Sequence, residues 1–177
     1  MKKKHKKQPV KKMKPALLVI DIQNSYLTMI PEHERRIALE MINGVIWMFR
    51  EHGYPIIQIY HTDPKFGPKP GTKDFKFPPS VRVKSRDPRI IKNYSNAFKK
   101  TDLKKILDKK GRNTLFLCGL SAVGCVLATH FAAKDLDYTS FMVKGALMSH
   151  DSQYTKFVEH LFETVGWTAL KTMLDLA

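Results

Sequence analysis

Short continuous apolar runs and longer stretches with helical spacing follow one another along the chain. The apolar runs lack the spacing of a helix face and are closed by turn residues or a carboxylate, which is typical of buried strands. They predict strands at residues 15–21, 55–60, 89–92, 114–118, 139–143 and 167–170. Because these runs do not alternate with polar residues, they favour a parallel sheet that is covered on both faces.

Apolar positions that recur three and four residues apart predict the helices. The predicted helices are residues 32–53, 103–110, 125–134 and 151–165. In the last of these, the side chains expected to face the core are Tyr154, Phe157, Val158, Leu161 and Phe162. Since strands and helices alternate, we expect an α/β domain with a mostly parallel sheet and helices on both faces. Residues 64–80, with five prolines and two glycines, predict a long loop that is either a lid or a partner-binding loop.

The first 14 residues hold eight of the 31 lysine and arginine residues and no acidic residue. We expect residues 1–14 to be a disordered lysine-rich tail and residues 15–177 to be a single domain. The tail carries about half of the net charge of +15, because the remaining residues include 23 basic and 16 acidic ones. Such a tail attracts polyanions, but no aromatic residue interleaves its lysines, so nucleic acid is not the expected partner.

Several absences indicate the compartment. The apolar run after the tail is stopped by Asp21, so it predicts no signal peptide, and no stretch reaches the length of a membrane span. The two cysteines, Cys118 and Cys125, cannot staple a fold of this size and lack zinc-ligand spacing. We therefore expect a cytoplasmic protein in a reducing compartment.

Cys125 follows a turn of small residues, 119–124, that leads from the strand 114–118 into the next helix. At a helix N-terminus, the unpaired N–H groups and the helix dipole favour a thiolate over a thiol. Cys125 is therefore a candidate nucleophile. The alternative is that it is a small buried apolar residue, as most free cysteines are.

Three other chemically capable residues lie at the carboxyl ends of predicted strands: Asp21 and Lys92 end theirs, and His61 directly follows its own. Sites in parallel sheets lie at the carboxyl ends of the strands, so we expect these residues near Cys125. Asp21 can act as a base toward a thiol, Lys92 as the cation that keeps this base ionised, and backbone N–H groups as oxyanion donors. Taken singly, Asp21 is equally typical of a turn cap, and Lys92 is more typical of a solvated surface charge.

Three motifs in a fixed order carry a family resemblance. They are Asp21-Ile-Gln-Asn24, Lys92-Asn-Tyr-Ser-Asn-Ala-Phe98 followed by Thr101-Asp-Leu, and Gly119-Leu-Ser-Ala-Val-Gly-Cys125-Val. As an ordered set, extending from Asp21 to at least Ala133, they resemble the isochorismatase-like cysteine hydrolases. The resemblance implies a three-layer α/β/α sandwich and a single hydrolase domain of that kind over residues 15–177.

The resemblance also implies the site. Cys125 would attack the substrate, Asp21 would act as general base and later as acid, and Lys92 would hold the charge balance. A non-proline cis peptide bond before Ser121 is implied, with the N–H groups of Ser121 and Cys125 forming the oxyanion hole. The candidates to line the substrate pocket are Gln23, Tyr26, His61 and Phe98, with the alternative that the aromatic residues Tyr26 and Phe98 belong to the core.

The cysteine itself suggests the reaction. Enzymes similar to nicotinamidase and N-carbamoylsarcosine amidohydrolase form an acyl-enzyme on a cysteine, whereas true isochorismatases cleave a vinyl ether and lack it. Cys125 therefore favours cofactor-free hydrolysis of an amide or carbamoyl C–N bond in a small molecule. Nicotinamidases bind a metal through Asp-x-His and a further histidine. Here His61 and Asp63 occur in the reverse order, so no metal is expected, although these two residues would be its ligands.

The resemblance further implies a homo-oligomer, either a dimer or a tetramer. A second function stays open, in which the fold is catalytically inactive and serves as a binding or regulatory protein whose basic tail engages an acidic partner. Such binding would weaken with salt and disappear on deletion of residues 1–14. Ala122 and Val123 stand where many relatives carry Thr and Asp, which leaves the substrate unassigned.

Overall fold

The computed structural model describes residues 12–177, so most of the lysine-rich segment 1–14 lies outside the described residues. The strands are β1 Pro15–Ile20, β2 Ile56–His61, β3 Arg89–Lys92, β4 Thr114–Leu120, β5 Thr139–Met148 and β6 Thr164–Val165. The helices are α1 Asn24–Leu27, α2 Glu32–Glu51, α3 Leu103–Lys109, α4 Leu127–Asp135, α5 Ser152–Leu161 and α6 Trp167–Asp175. A kinked helical turn, Ala122–Val126, joins β4 to α4 and is called the elbow below.

The six strands form one sheet in the order β3-β2-β1-β4-β5-β6, and every pair in it is parallel. Alternate side chains of β1 enter two different apolar cores, since Leu17 and Val19 face one side and Leu18 and Ile20 the other. Buried residues of α2 and α6 complete the first core, and those of α3, α4 and α5 complete the second. The predicted three-layer α/β/α fold is therefore confirmed.

The strand predicted at residues 167–170 is wrong, because this segment is the first turn of α6. Leu170 and Leu174, four residues apart, are the buried residues of that helix, and a run of four residues was too short to reveal this spacing. The last strand is instead the pair Thr164–Val165, which lies beside Met142 and Val143 of β5.

Helix α5 buries less than predicted. Only Val158 is buried, whereas Tyr154, Phe157 and Leu161 are exposed and Phe162 is half-buried. Val158 lies in the second core and Phe162 packs against it, so these two residues connect this segment to the core.

Strand β5 is longer than predicted. It extends five residues past Val143, to Met148, and so carries Ser149 and His150 to the carboxyl edge of the sheet. Among the described residues, no helix is both long enough and apolar enough to cross a membrane.

The strand order reverses between β1 and β4, which run side by side from Pro15 opposite Thr114 to Ile20 opposite Gly119. In a sheet of this kind the crevice at the reversal point is where ligands bind. Gly119 has a φ of 120°, and a Cβ added to it would lie 2.1 Å from the carbonyl oxygen of Ile20. The two strand ends can therefore meet this closely only because residue 119 has no side chain.

We predict that Gly119→Ala lowers the free energy of unfolding by about 3 kcal/mol or more, because alanine combines an unfavourable φ with a backbone clash. Urea unfolding followed by circular dichroism measures this loss. Gly166→Ala is the matched control, since a Cβ at residue 166 meets no atom within 4 Å and the loss of the N-cap glycine of α6 should cost no more than about 1 kcal/mol. Equal stability of the two variants would contradict this account of the strand contact.

Candidate active site

Four adjacent strands bring together the four residues that were expected at one edge of the sheet: Asp21, His61, Lys92 and Cys125. Lys92 ends β3 and lies in register opposite His61, which ends β2. Asp21 directly follows β1, and Cys125 lies in the elbow after β4. Parallel pairing puts all four at the same carboxyl edge, as expected from the sequence.

Asp21 has an unusual backbone conformation. Its φ is 53°, a left-handed value that side chains other than glycine rarely adopt, and its N–H donates to Ile59 O at 2.9 Å. The side chain is 96% buried. Backbone outliers of this kind concentrate at functional sites, because the surrounding structure must hold them in place.

Lys92 lies at the centre of the site and its side chain is fully buried. The ammonium group donates to Asp21 Oδ2 at 2.7 Å, to Cys125 Sγ at 3.2 Å and lies 3.1 Å from His61 Nδ1. An ammonium group has three N–H bonds and no acceptor, so these three contacts use its full capacity. The predicted surface alternative for Lys92 does not apply.

His61 is held by its backbone and by its ring. The side-chain amide of Gln23 accepts from His61 N at 2.7 Å and donates to His61 O at 2.9 Å. Because the ammonium of Lys92 can only donate, His61 Nδ1 must be the unprotonated nitrogen, which leaves the proton on Nε2. Burial and the neighbouring Lys92 charge lower the pKa of His61, so the ring is neutral near pH 7.

The elbow begins after a cis peptide bond between Leu120 and Ser121. Ser121 O accepts the N–H groups of Gly124 at 3.0 Å and Val126 at 3.2 Å, which folds the turn tightly. Gly124 departs from helical geometry with φ −114° and ψ −108°, so Cys125 lies in a kinked turn and α4 starts two residues later. The predicted simple strand-to-helix junction is corrected in this respect.

The thiol of Cys125 does not behave as its predicted helix position suggested. Burial, together with the nearby carboxylate of Asp21, raises the pKa of the Cys125 thiol to about 12. Burial also raises the pKa of Asp21, while the Lys92 ammonium opposes that rise. The resting site therefore holds a protonated thiol beside the Lys92–Asp21 ion pair, because burial disfavours the thiolate.

One oxygen of Asp21 is left free. Oδ2 is bound to Lys92, whereas Oδ1 is buried and has no hydrogen-bond partner among the described residues. A buried carboxylate oxygen without a partner is costly, so such an atom calls for an explanation. Cys125 is its neighbour in the site, and a thiol proton is one group that this oxygen can accept.

A pocket of about 270 Å³ opens onto this cluster. Its lining includes Tyr26 and His61, whereas Gln23 and Phe98, the other two residues named from the sequence as candidates for a substrate pocket, lie elsewhere. Gln23 is fully buried behind His61, and the ring of Phe98 stacks on Tyr138 with the centroids 5.8 Å apart.

Five lining residues were not predicted from the sequence. They are Met29, Ile30, Ser95, Leu120 and His150. His150 was detectable in principle because it follows β5 at the same edge of the sheet, but the predicted strand ended too early. Met29 and Ile30 follow the helix α1, whose four residues are too few to show a helical spacing of apolar positions.

The residues present do not fit a metal ion. Asp63 Oδ1 already accepts the N–H groups of Lys65 at 2.7 Å and Phe66 at 3.0 Å. Within residues 12–177, the one group of three close metal-ligand side chains is Asp21, His61 and Cys125. The ammonium of Lys92 contacts all three of these, so a cation already fills the position that a metal would need.

Comparisons with known proteins agree on one family. The model of the isochorismatase domain matches residues 15–171. An uncharacterized isochorismatase family protein of Bacillus subtilis is 32% identical over 144 residues, which cover 76% of this chain and 77% of that protein. A protein of Arabidopsis thaliana named as a probable inactive nicotinamidase is 28% identical over 150 residues, covering 72% of this chain and 76% of the relative.

Solved structures show the same fold. An isochorismatase family protein from Desulfovibrio vulgaris superposes with a TM-score of 0.79 at 20% identity, over 92% of this chain and 99% of the other. An isochorismatase-like hydrolase from Alkaliphilus metalliredigens superposes with a TM-score of 0.77 at 19% identity, over 88% and 94% of the two chains. At these identities the likeness establishes the fold alone.

We predict that Asp21→Asn lowers the pKa of the Cys125 thiol, although it removes the proposed general base. Removing the carboxylate charge leaves the Lys92 ammonium unbalanced, so we expect the pKa of the Cys125 thiol to fall from about 12 toward that of a free thiol. Thiolate absorbance measured against pH reports this change.

The Cys125→Ala variant shows which part of the thiolate absorbance comes from Cys125. The other thiol, Cys118, should contribute little, because burial holds its pKa well above its usual range. Lys92→Met is the opposite control and should not lower the pKa of Cys125. An unchanged or higher thiol pKa in Asp21→Asn would contradict the arrangement of charges described here.

Proposed function

Because the chain belongs to the isochorismatase family, we propose that it is a cysteine hydrolase that cleaves an amide or carbamoyl C–N bond of a small molecule through a thioester on Cys125. The observation that supports this most directly is the hydrogen bonding of one buried ammonium group, Lys92, to both Asp21 and Cys125. The proposed base Asp21 and the proposed nucleophile Cys125 line a pocket, and the buried Lys92 contacts both of them.

The first half of the reaction uses the free oxygen of Asp21. As the substrate enters, Asp21 Oδ1 takes the thiol proton and Cys125 Sγ attacks the acyl carbon. The carbonyl oxygen gains the negative charge, and the N–H groups of Ser121 and Cys125 stabilise it. Asp21 then gives its proton to the departing nitrogen, the C–N bond breaks, and the thioester remains.

The second half regenerates the thiol. Asp21 accepts a proton from water, the hydroxide attacks the thioester carbon, and the C–S bond breaks. The leaving sulfur takes the proton back from Asp21, which restores the resting state. The raised pKa of Asp21 suits this exchange, because it makes the carboxylate a stronger base toward a buried thiol.

Lys92 keeps the charges balanced throughout these steps. In the resting state its positive charge offsets the Asp21 carboxylate, and when the proton has moved to Asp21 it offsets the thiolate of Cys125. The ammonium can contact both groups without moving, so little reorganisation is needed in the reacting state.

The competing function is a binding protein with the same fold and no turnover, since one relative is named as a probable inactive nicotinamidase. In this chain Asp21, Lys92 and Cys125 are all present and in contact, which favours a hydrolase. Salt-sensitive binding to an acidic partner, lost on deletion of residues 1–14, would favour the competing function.

We predict that release of ammonia or amine from a panel of small amides requires Cys125. Cys125→Ala should abolish turnover, and Asp21→Asn should lower kcat/KM about 10²- to 10⁴-fold because the general base is lost. Cys118→Ala is the matched control, since it removes the other cysteine in the core of β4 and should keep its activity.

Intact-mass measurement of the wild-type protein during turnover should show the mass of one acyl group added at Cys125. Turnover retained by Cys125→Ala, or an acyl group found on a different residue, would contradict the proposed mechanism.

A further inference from the structure

The described lining of the pocket above Cys125 contains no lysine or arginine, so it holds no permanent positive charge that could pair with an anion. Its wall is formed mainly by apolar side chains and one tyrosine: Tyr26, Met29, Ile30 and Leu120. The polar residues of the lining are two serines, two histidines and the reacting pair. Among the described residues, no arginine lines this pocket.

The nearest cation cannot serve as a counter-ion for a substrate. The side chain of Lys92 is fully buried, and its three N–H bonds face Asp21, His61 and Cys125. Its charge is matched by the Asp21 carboxylate at 2.7 Å. A carboxylate on the substrate would therefore meet an ion pair that is already neutral as a whole.

His61 offers a neutral donor instead of a charge. Its Nδ1 faces the Lys92 ammonium, so the proton is on Nε2, and the ring lines the pocket. The Gln23 amide fixes its backbone, and the ring of Tyr26 lies against it with the centroids 6.2 Å apart. The Nε2–H group can donate to a carbonyl or ring nitrogen of a substrate, but it cannot neutralise a carboxylate.

We propose that the pocket selects substrates whose acyl part is uncharged, with an acceptor atom for His61 Nε2–H and no carboxylate, sulfonate or phosphate. This inference rests on the proposed function, because it assumes that the substrate reacts at Cys125. Moving an anion into an apolar pocket without a counter-ion is costly, whereas an uncharged amide of the same size loses much less solvation.

Two alkylating reagents of almost equal size test the selection directly. Iodoacetamide is uncharged and iodoacetate is anionic, and both react with the same thiol. Their rates at Cys125 are measured by mass spectrometry at about pH 8, and the control reaction with N-acetylcysteine is run at the same pH. Raised salt screens the lysines farther away than about 10 Å.

We expect the ratio of the iodoacetamide rate to the iodoacetate rate to be at least about tenfold larger at Cys125 than for free N-acetylcysteine. Met29, at the exposed rim of the pocket, allows a charge to be added without disturbing the core. Met29→Arg should lower this ratio about fivefold or more, because it supplies the missing counter-ion. Met29→Gln, an uncharged side chain of similar length, should leave the ratio unchanged.

The outcomes separate this inference from the proposed function. A ratio at Cys125 equal to that of free N-acetylcysteine would overturn the selection while leaving Cys125 an accessible nucleophile. The same conclusion would follow if Met29→Arg and Met29→Gln had equal ratios. If neither reagent labelled Cys125, the proposed nucleophile would fail, and the inference about its substrates would fail with it.

Discussion

The site depends on one buried ion pair, between the ammonium of Lys92 and the carboxylate of Asp21. Burying two charges is costly, and their attraction offsets this cost only when the geometry is good and the remaining hydrogen-bonding groups are satisfied. Lys92 meets this condition, because all three of its N–H bonds face an acceptor. Asp21 meets it only in part, since Oδ1 has no partner among the described residues. The unsatisfied atom is the one that the proposed reaction uses.

The pairing and order of the strands are sufficient to place the four side chains of the site next to one another. Lys92 and His61 face each other because β3 and β2 pair in parallel register, and Asp21 follows on the next strand. Cys125 reaches them because the strand order reverses between β1 and β4 and Gly119 allows close contact at the end of β4. The apolar pocket above, with His61 as a neutral donor, is the feature from which we infer the selection of uncharged substrates.

Much of this arrangement could be predicted from the sequence, because continuous apolar runs identify parallel strands and the residues after them share one edge. Asp21, His61, Lys92 and Cys125 were placed at that edge on this basis. The segment 167–170 resembles a strand in sequence because four residues are too few to distinguish the apolar repeat of a strand from that of a helix. The sequence pattern also does not predict the direction in which a side chain points. Phe98 belongs to the motif that begins at Lys92, but its ring stacks on Tyr138.

The ionisation of Cys125 could not be predicted from local sequence, because it depends on burial and on a carboxylate more than 100 positions away. The helix position suggested a lowered thiol pKa, whereas the assembled site raises it. His150 was missed for a related reason, since the length of β5 is set by its pairing with β4. In each case the deciding contact is tertiary, and no window of sequence contains both partners.

A double-mutant cycle on Asp21 and Lys92 tests the central claim most directly. The free energy of unfolding is measured at neutral pH for the wild type, Asp21→Asn, Lys92→Met and the double variant. Each single change leaves one buried charge without its partner, so we expect each to cost about 2 to 4 kcal/mol and the double variant to cost at least about 2 kcal/mol less than their sum. Additivity within about 0.5 kcal/mol would contradict the account, because it would mean that the two charges do not stabilise each other.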